Sequence, residues 1–294
     1  MVVLPKVDVL EPLERSPGYW AMVWRRFRRD PVAVGALIVI VLLLLTAIFA
    51  PWVAPQDPYK GMSLRRLRPP GTEGYPLGSD ELGRDMLSRL IYGARLSLFM
   101  GVTPVIIALF AGSLIGIVAG YIGGWLNTIL MRTIDVLFAF PSVLLAIALS
   151  GALGAGILNG LISLTVVFIP PIARVAESVT TSVRTRDYVE AARATGASSL
   201  TIIHKHVLRN VMGPIFVYAM SLIAVSMILA SGLSFLGLGV RPPEPEWGLM
   251  LNTLRTAIYT QPLLCALPGV MIFITSISFN LLTDGLRTAM DIKA

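Results

Sequence analysis

The sequence predicts an all-α, polytopic integral membrane protein with six transmembrane helices, and three observations carry that prediction. Of its 294 residues 55% are hydrophobic and only 14% charged, with a mean hydropathy of +0.76; soluble domains carry roughly a quarter charged residues. The charges are also clustered, so that residues 31–56, 96–131, 136–173, 210–240 and 256–283 contain no Asp, Glu, Lys or Arg. Each of these runs exceeds the ~20 residues that cross a hydrocarbon core as a helix.

The 38-residue run 136–173 has room for two short crossings, with a reversal at Gly151–Gly156 and Asn159-Gly160. The expected spans are 32–53, 97–121, 127–150, 157–175, 211–233 and 263–283. The 26-residue first run is too long for a signal-peptide core of about 7–15 residues and reads as a retained anchor. The single cysteine, Cys265, excludes an internal disulfide and reads as a small buried hydrophobe. Pro104, Pro141, Pro170, Pro171, Pro214 and Pro268 lie in or near spans, where neighbouring helices satisfy freed carbonyls.

Orientation follows the distribution of Lys and Arg. Arg25, Arg26, Arg28 and Arg29 precede the first span and mark that side as cytoplasmic, so six spans place both termini inside. The resulting topology carries net +5 inside and +2 outside, although the external loop 54–96 is itself basic. A pI near 9.9 then reflects membrane orientation and anionic headgroups, with no nucleic acid implied.

Residues 1–24, with Pro5, Pro12 and Pro17 and no periodicity, read as a flexible tail within a cytoplasmic segment 1–30. In the external loop 56–96, Leu82, Met86, Leu87, Leu90, Ile91 and Ala94 recur at helical spacing, predicting an amphipathic helix capped by Ser79 or Asp80. It either lies along the outer surface or packs on the bundle. Gly112, Gly116, Gly120 and Gly124 fall every fourth residue and predict a close helix-packing seam. Arg132–Asp135, Arg174–Glu177 and Asp284–Arg287 read as ion pairs at the membrane boundary. There is no Walker A sequence, zinc-type His/Cys spacing or nucleophile elbow, so no catalytic residue, metal site or cofactor site is assigned.

The most informative stretch is 186–210, between the fourth and fifth spans, which predicts two short helices with a break. Asp187 caps the first, Gly196 supplies the left-handed residue that ends it, and Ser198 or Ser199 caps the second. On that second helix Leu200, Ile203, Val207 and Leu208 share one face, and His204 and His206 carry no assigned chemistry.

Glu190-Ala191-Ala192, three residues, Gly196, nine residues and then His206-x-Leu208 resembles the EAA loop of ABC-importer permeases. The chain departs from the usual ending with His206 where Ile is common and Arg209 where Pro is common, which leaves open how the second helix ends. Four further blocks, 76–85, 119–125, 233–243 with Trp247-Gly248, and 279–287, are similar to the second (C-type) permease of the dipeptide/oligopeptide/nickel import group.

The resemblance implies a type I importer permease fold (MetI-like) in a prokaryotic plasma membrane, with a permease core over 97–284 and a short tail 285–294. It implies a coupling loop, 176–210, in which Tyr188, Glu190, Ala191, Ala192, Gly196, Ala197, Leu200, Ile203, His206 and Leu208 engage a cytoplasmic ATPase. Arg241 and Trp247 are the candidate contacts for an external binding protein or outer gate. The implied partners are a sister permease, two ATPase subunits that hold ATP and magnesium, and an extracytoplasmic solute-binding protein. Short peptides are the expected cargo, with nickel or another small solute as the alternative.

Overall fold

A computed structural model of the chain describes residues 18–291. The expectation of a flexible tail over residues 1–17 lies outside them. Among the described residues there are helices and no strands: α1 (Tyr19–Phe27), α2 (Pro31–Ile48), α3 (Ala50–Val53), α4 (Met86–Ile122), α5 (Gly124–Phe138), α6 (Ser142–Leu153), α7 (Ile157–Arg184), α8 (Asp187–Ala194), α9 (Ser199–Ile202), α10 (Leu208–Phe235), α11 (Trp247–Leu254) and α12 (Pro262–Met290). Five helical runs are long and apolar enough to cross a membrane, and α5 with α6 makes a sixth, broken span.

Residues 18–24 are not the irregular tail expected. They start α1, whose Val23 and Phe27 are buried while Trp20 and Trp24 are exposed. The helix packs on α12, and Arg26 Nη1 donates to Asp291 O at 3.1 Å. Asp30 then caps α2, accepting from Val32 N and Ala33 N, with Pro31 in the first turn. Ala33, Ala36, Ile40, Leu43 and Ala47 form the buried stripe of α2, and Gly285 of α12 lies directly against Ala33.

The predicted amphipathic helix is not a separate element. Helix α4 begins at Met86, capped by Asp85, and runs 37 residues without a break through the whole second span. No breaker separates Arg95 from Leu96, so the backbone has no reason to stop. Leu90, Ala94 and Leu98 are buried in the bundle, which settles the packing alternative over the surface one. Asp80 does not cap the helix because it sits in the preceding turn, where Arg84 and Arg89 engage it.

The glycine seam is formed by three of its four residues. A Cβ added at Gly112, Gly116 or Gly120 would lie 3.0, 2.6 or 2.9 Å from the Cβ of Ile172, Ala176 or Thr180. The constant offset of 60 residues shows that α4 and α7 run parallel in register, close enough to exclude side chains at those positions. Gly124 is different: it starts α5 with φ +58° and has nothing near its missing side chain.

The third predicted span, 127–150, is interrupted. Helix α5 ends at Phe138, Pro141 stands before α6, and the two axes meet at 86°. Pro104, Pro170, Pro171, Pro214 and Pro268 lie inside helices, so Pro141 alone of the six accompanies a break.

The close α4–α7 approach predicts that Gly116→Leu destabilises the purified protein by about 1–3 kcal/mol. Gly35→Ala, at a position with no neighbour within 4 Å, leaves thermal unfolding in detergent unchanged.

Candidate functional site

The segment joining α7 to α10 is built by two local devices. The first ends α8. Ala197 N donates to Ala192 O at 3.2 Å and Gly196 N to Arg193 O at 3.1 Å, with Gly196 at φ +83°. This pairing is a Schellman motif, and its usual apolar contact is supplied by Ala192 and Ala197, both packed on the core. Gly196 has open space where a side chain would stand, so its requirement is conformational and not one of close approach. Ser198 then caps α9, accepting from Thr201 N. Asp187 falls in the first turn of α8, where its charge suits the helix dipole, and Arg186 holds the cap position.

The second device is a π-helical turn over Ile203–Val207. It answers the question raised by Arg209 in place of proline: the second short helix does not terminate. It continues through the π turn into α10 as one helical run, Ser199–Phe235. The extra residue rotates the register by about 100°, one residue's worth of helix. Leu200 is therefore turned away from the face that it shares with Val207 on paper; it is 80% exposed while Val207 is fully buried.

Nine of the ten expected coupling residues divide into two groups, with His206 between them. Ala192, Ala197, Ile203 and Leu208 pack on the bundle, together with the buried Val189, Ile202 and Val207. Tyr188, Glu190, Ala191, Gly196 and Leu200 face outward. His206 is half-buried, and its ring stands 6.3 Å from that of Tyr188, tying α8 to the π turn. The result is a small exposed platform on a pinned base.

At the opposite end, Trp247 is not a surface contact. It is fully buried, donates from Nε1 to Leu90 O at 3.0 Å, and lies against Gly93, where a Cβ would come within 2.9 Å of its ring. Its backbone N–H donates to Ser97 Oγ at 3.0 Å. Glu246 caps α11, accepting from Gly248 N and Leu249 N at 2.9 and 2.8 Å. Burial raises the Glu246 carboxyl above its ordinary range, and the hydrogen bonds it accepts pull the other way. Arg241 is exposed in the loop between α10 and α11, as a contact residue needs to be.

A buried ionic cluster that sequence reading missed locks the same end. Asp80 Oδ2 meets Arg84 Nε at 2.6 Å and Arg89 Nε at 3.1 Å, and Arg84 Nη2 reaches Glu81 at 2.9 Å. Arg89 Nη1 also donates to Pro58 O at 3.1 Å and Pro243 O at 3.4 Å, joining both outer loops to α4. Tyr59 donates to Glu244 Oε2 at 2.9 Å, and its hydroxyl is pushed up to about 12 by burial and that carboxylate, so the donor persists through neutral pH. The missed signal was the i, i+4 pair Asp80 and Arg84, followed by Arg89 on the apolar side of a helix, where an arginine needs a partner.

The boundary ion pairs also differ from expectation. Arg174 pairs with Asp135 across α7 and α5, and Glu177 accepts from Asn127 Nδ2 at 2.7 Å and from Thr181. Among the described residues no Asp284–Arg287 bridge forms. Cys265 is half-buried, with Sγ 3.1 Å from Leu254 O.

Two substitutions test these devices. Arg89→Ala removes one of the two guanidinium partners of Asp80 and the ties to Pro58 and Pro243, and lowers stability by about 1–3 kcal/mol, readable as a fall in thermal unfolding temperature. Gly196→Val forces a branched side chain into the left-handed region at a cost of about 1–2 kcal/mol and loosens α8, whereas Gly196→Asn preserves the turn. Limited proteolysis of the 185–200 segment separates the two.

Residues 112–293 match the family model described as "Binding-protein-dependent transport system inner membrane component", and residues 18–70 match the "N-terminal TM domain of oligopeptide transport permease C". A glutathione transport system permease protein of Pectobacterium atrosepticum is 41% identical over 279 residues, covering 95% of this chain and 92% of the relative. One from Shigella boydii is 42% identical over 292 residues, covering 99% and 96%. Among solved structures, an inward-facing MetNI methionine ABC transporter matches with a TM-score of 0.58 at 17% identity, covering 69% of this chain and 97% of that one. An amino acid ABC transporter matches with a TM-score of 0.51 at 14% identity, covering 67% and 91%. With a family model over well more than half of its length and relatives above 40% identity end to end, the chain belongs to the inner membrane components of binding-protein-dependent transport systems, the permease subunits of ABC importers.

Proposed function

We propose that this permease forms one half of a pathway that brings short peptides or peptide-like solutes into the cell, working beside a sister permease. The names of its relatives, glutathione permeases, and the oligopeptide-permease match of its N-terminal region support that cargo class. In this reading both termini and the 185–207 segment are cytoplasmic, by the arginines before α2. Two ATPase subunits carry ATP and magnesium, and an external binding protein delivers cargo to the end bearing Arg241.

The observation that carries the coupling role is the exposed platform formed by Tyr188, Glu190 and Ala191 of α8 with Leu200, which lies on the helical run continuous with α10. An ATPase gripping that platform moves a transmembrane helix directly, because the run from Ser199 to Phe235 has no flexible joint other than the π turn. A ligand shifts a two-state equilibrium only by its differential affinity, and here ATP acts by changing the shape of the groove that holds the platform.

Leu200→Asp tests this reading in the assembled transporter. Uptake falls at least tenfold and binding-protein-stimulated ATP hydrolysis is lost, while membrane insertion and thermal unfolding stay at wild-type values. Wild-type uptake by both Leu200→Asp and Glu190→Ala contradicts the coupling role.

A further inference from the structure

A cavity of about 1350 Å³ opens between α10 and α12 at the end of the bundle that carries α1, with Trp20, Arg209 and Arg287 on its wall. Its surface along α10 is mostly apolar, with Met212, Pro214, Phe216 and Val217, and carries Asn210 and Tyr218 as its uncharged polar groups. The Arg209 and Arg287 guanidinium groups make no ion pair or hydrogen bond among the described residues. Asp291 is the single acid on the wall, and among the described residues its carboxylate forms no ion pair with Arg209 or Arg287. Two unpaired cations against one acid, above a mostly apolar wall, call for an anion with an apolar body.

The depth of the site points to the same ligand. Helix α1 is short and amphipathic, with Val23 and Phe27 buried against the bundle, Trp20 and Trp24 exposed, and Arg25, Arg26, Arg28 and Arg29 beside them. Exposed tryptophans next to a basic run mark the headgroup level of a bilayer. Since Trp20 lines the cavity together with both arginines, the cations lie at headgroup depth. Met212 and Phe216, one helical turn apart and both exposed, continue from Arg209 along α10 toward the hydrocarbon.

We propose that this cavity is a binding site for an anionic phospholipid, its phosphate between Arg209 and Arg287 and an acyl chain along Met212 and Phe216. The apolar wall favours a lipid tail over a hydrated peptide. The site is independent of which solute the permease carries.

Native mass spectrometry of the delipidated full chain, titrated with phosphatidylglycerol or with phosphatidylcholine of the same acyl chains, tests it. Phosphatidylglycerol should bind preferentially, and Arg209→Gln with Arg287→Gln should weaken it by ~30-fold. The control Arg66→Gln with Arg68→Gln removes the same charge in the 54–85 loop and should leave binding unchanged. Met212→Trp fills the apolar wall while keeping both cations, and should also weaken binding. Equal affinity for the two lipids, equal losses in the two double variants, full binding by Met212→Trp, or displacement by millimolar inorganic phosphate would each overturn the assignment.

Discussion

Mechanical continuity between an exposed segment and a membrane-crossing helix is the constraint on which the rest of this structure depends. Between Ser199 and Phe235 the backbone never leaves a helical path, and the π turn at Ile203–Val207 changes its register without interrupting it. Val189, Ile202 and Val207 are wholly buried beneath this segment, so the platform is fixed to the bundle and moves with it. Leu200 exposes a large apolar side chain that this chain leaves uncovered.

The two ends of the bundle solve opposite problems. At the end bearing Arg241, long-range bonds bind loops to spans: Arg89 bridges Pro58 and Pro243, Trp247 reaches Leu90, and Glu246 holds the start of α11. Burying the charges of Asp80, Arg84 and Arg89 is costly unless each finds a partner, and a missing member leaves an uncompensated ion. That end is therefore built as a rigid cap. The other end has few such ties and presents a platform, an amphipathic helix and an open cavity. In between, the α4–α7 seam lets two helices touch through Gly112, Gly116 and Gly120, so side-chain entropy is not sacrificed at the closest approach.

Much of this was legible in the sequence because it is encoded locally. Charge-free runs located the spans, and Gly196 announced its own turn because an L-residue there is strained. Three glycines at four-residue spacing announced the seam. What sequence could not show depends on neighbours far along the chain. Trp247 sits in a Gly- and Pro-rich stretch that reads as surface, yet its partners Leu90 and Gly93 lie about 150 residues away. The π turn has no breaker residue to betray it, and it undid the expected face shared by Leu200 and Val207. The break in the third span was hinted at by Pro141, but five other prolines in similar settings are absorbed inside helices. Gly124 continued the numerical pattern of the seam after the helix that carried it had ended.

If the platform meets an ATP-hydrolysing subunit and carries its movement into α10, position 200 lies at their contact. Site-directed cross-linking tests it most directly, using Leu200→Cys in a Cys265→Ala background within the assembled transporter. Coupling through α10 predicts a cross-link from position 200 to the ATPase subunit whose yield changes when ATP is bound. Labelling of position 200 by a membrane-impermeant thiol reagent added outside intact cells, with no such cross-link, would contradict it.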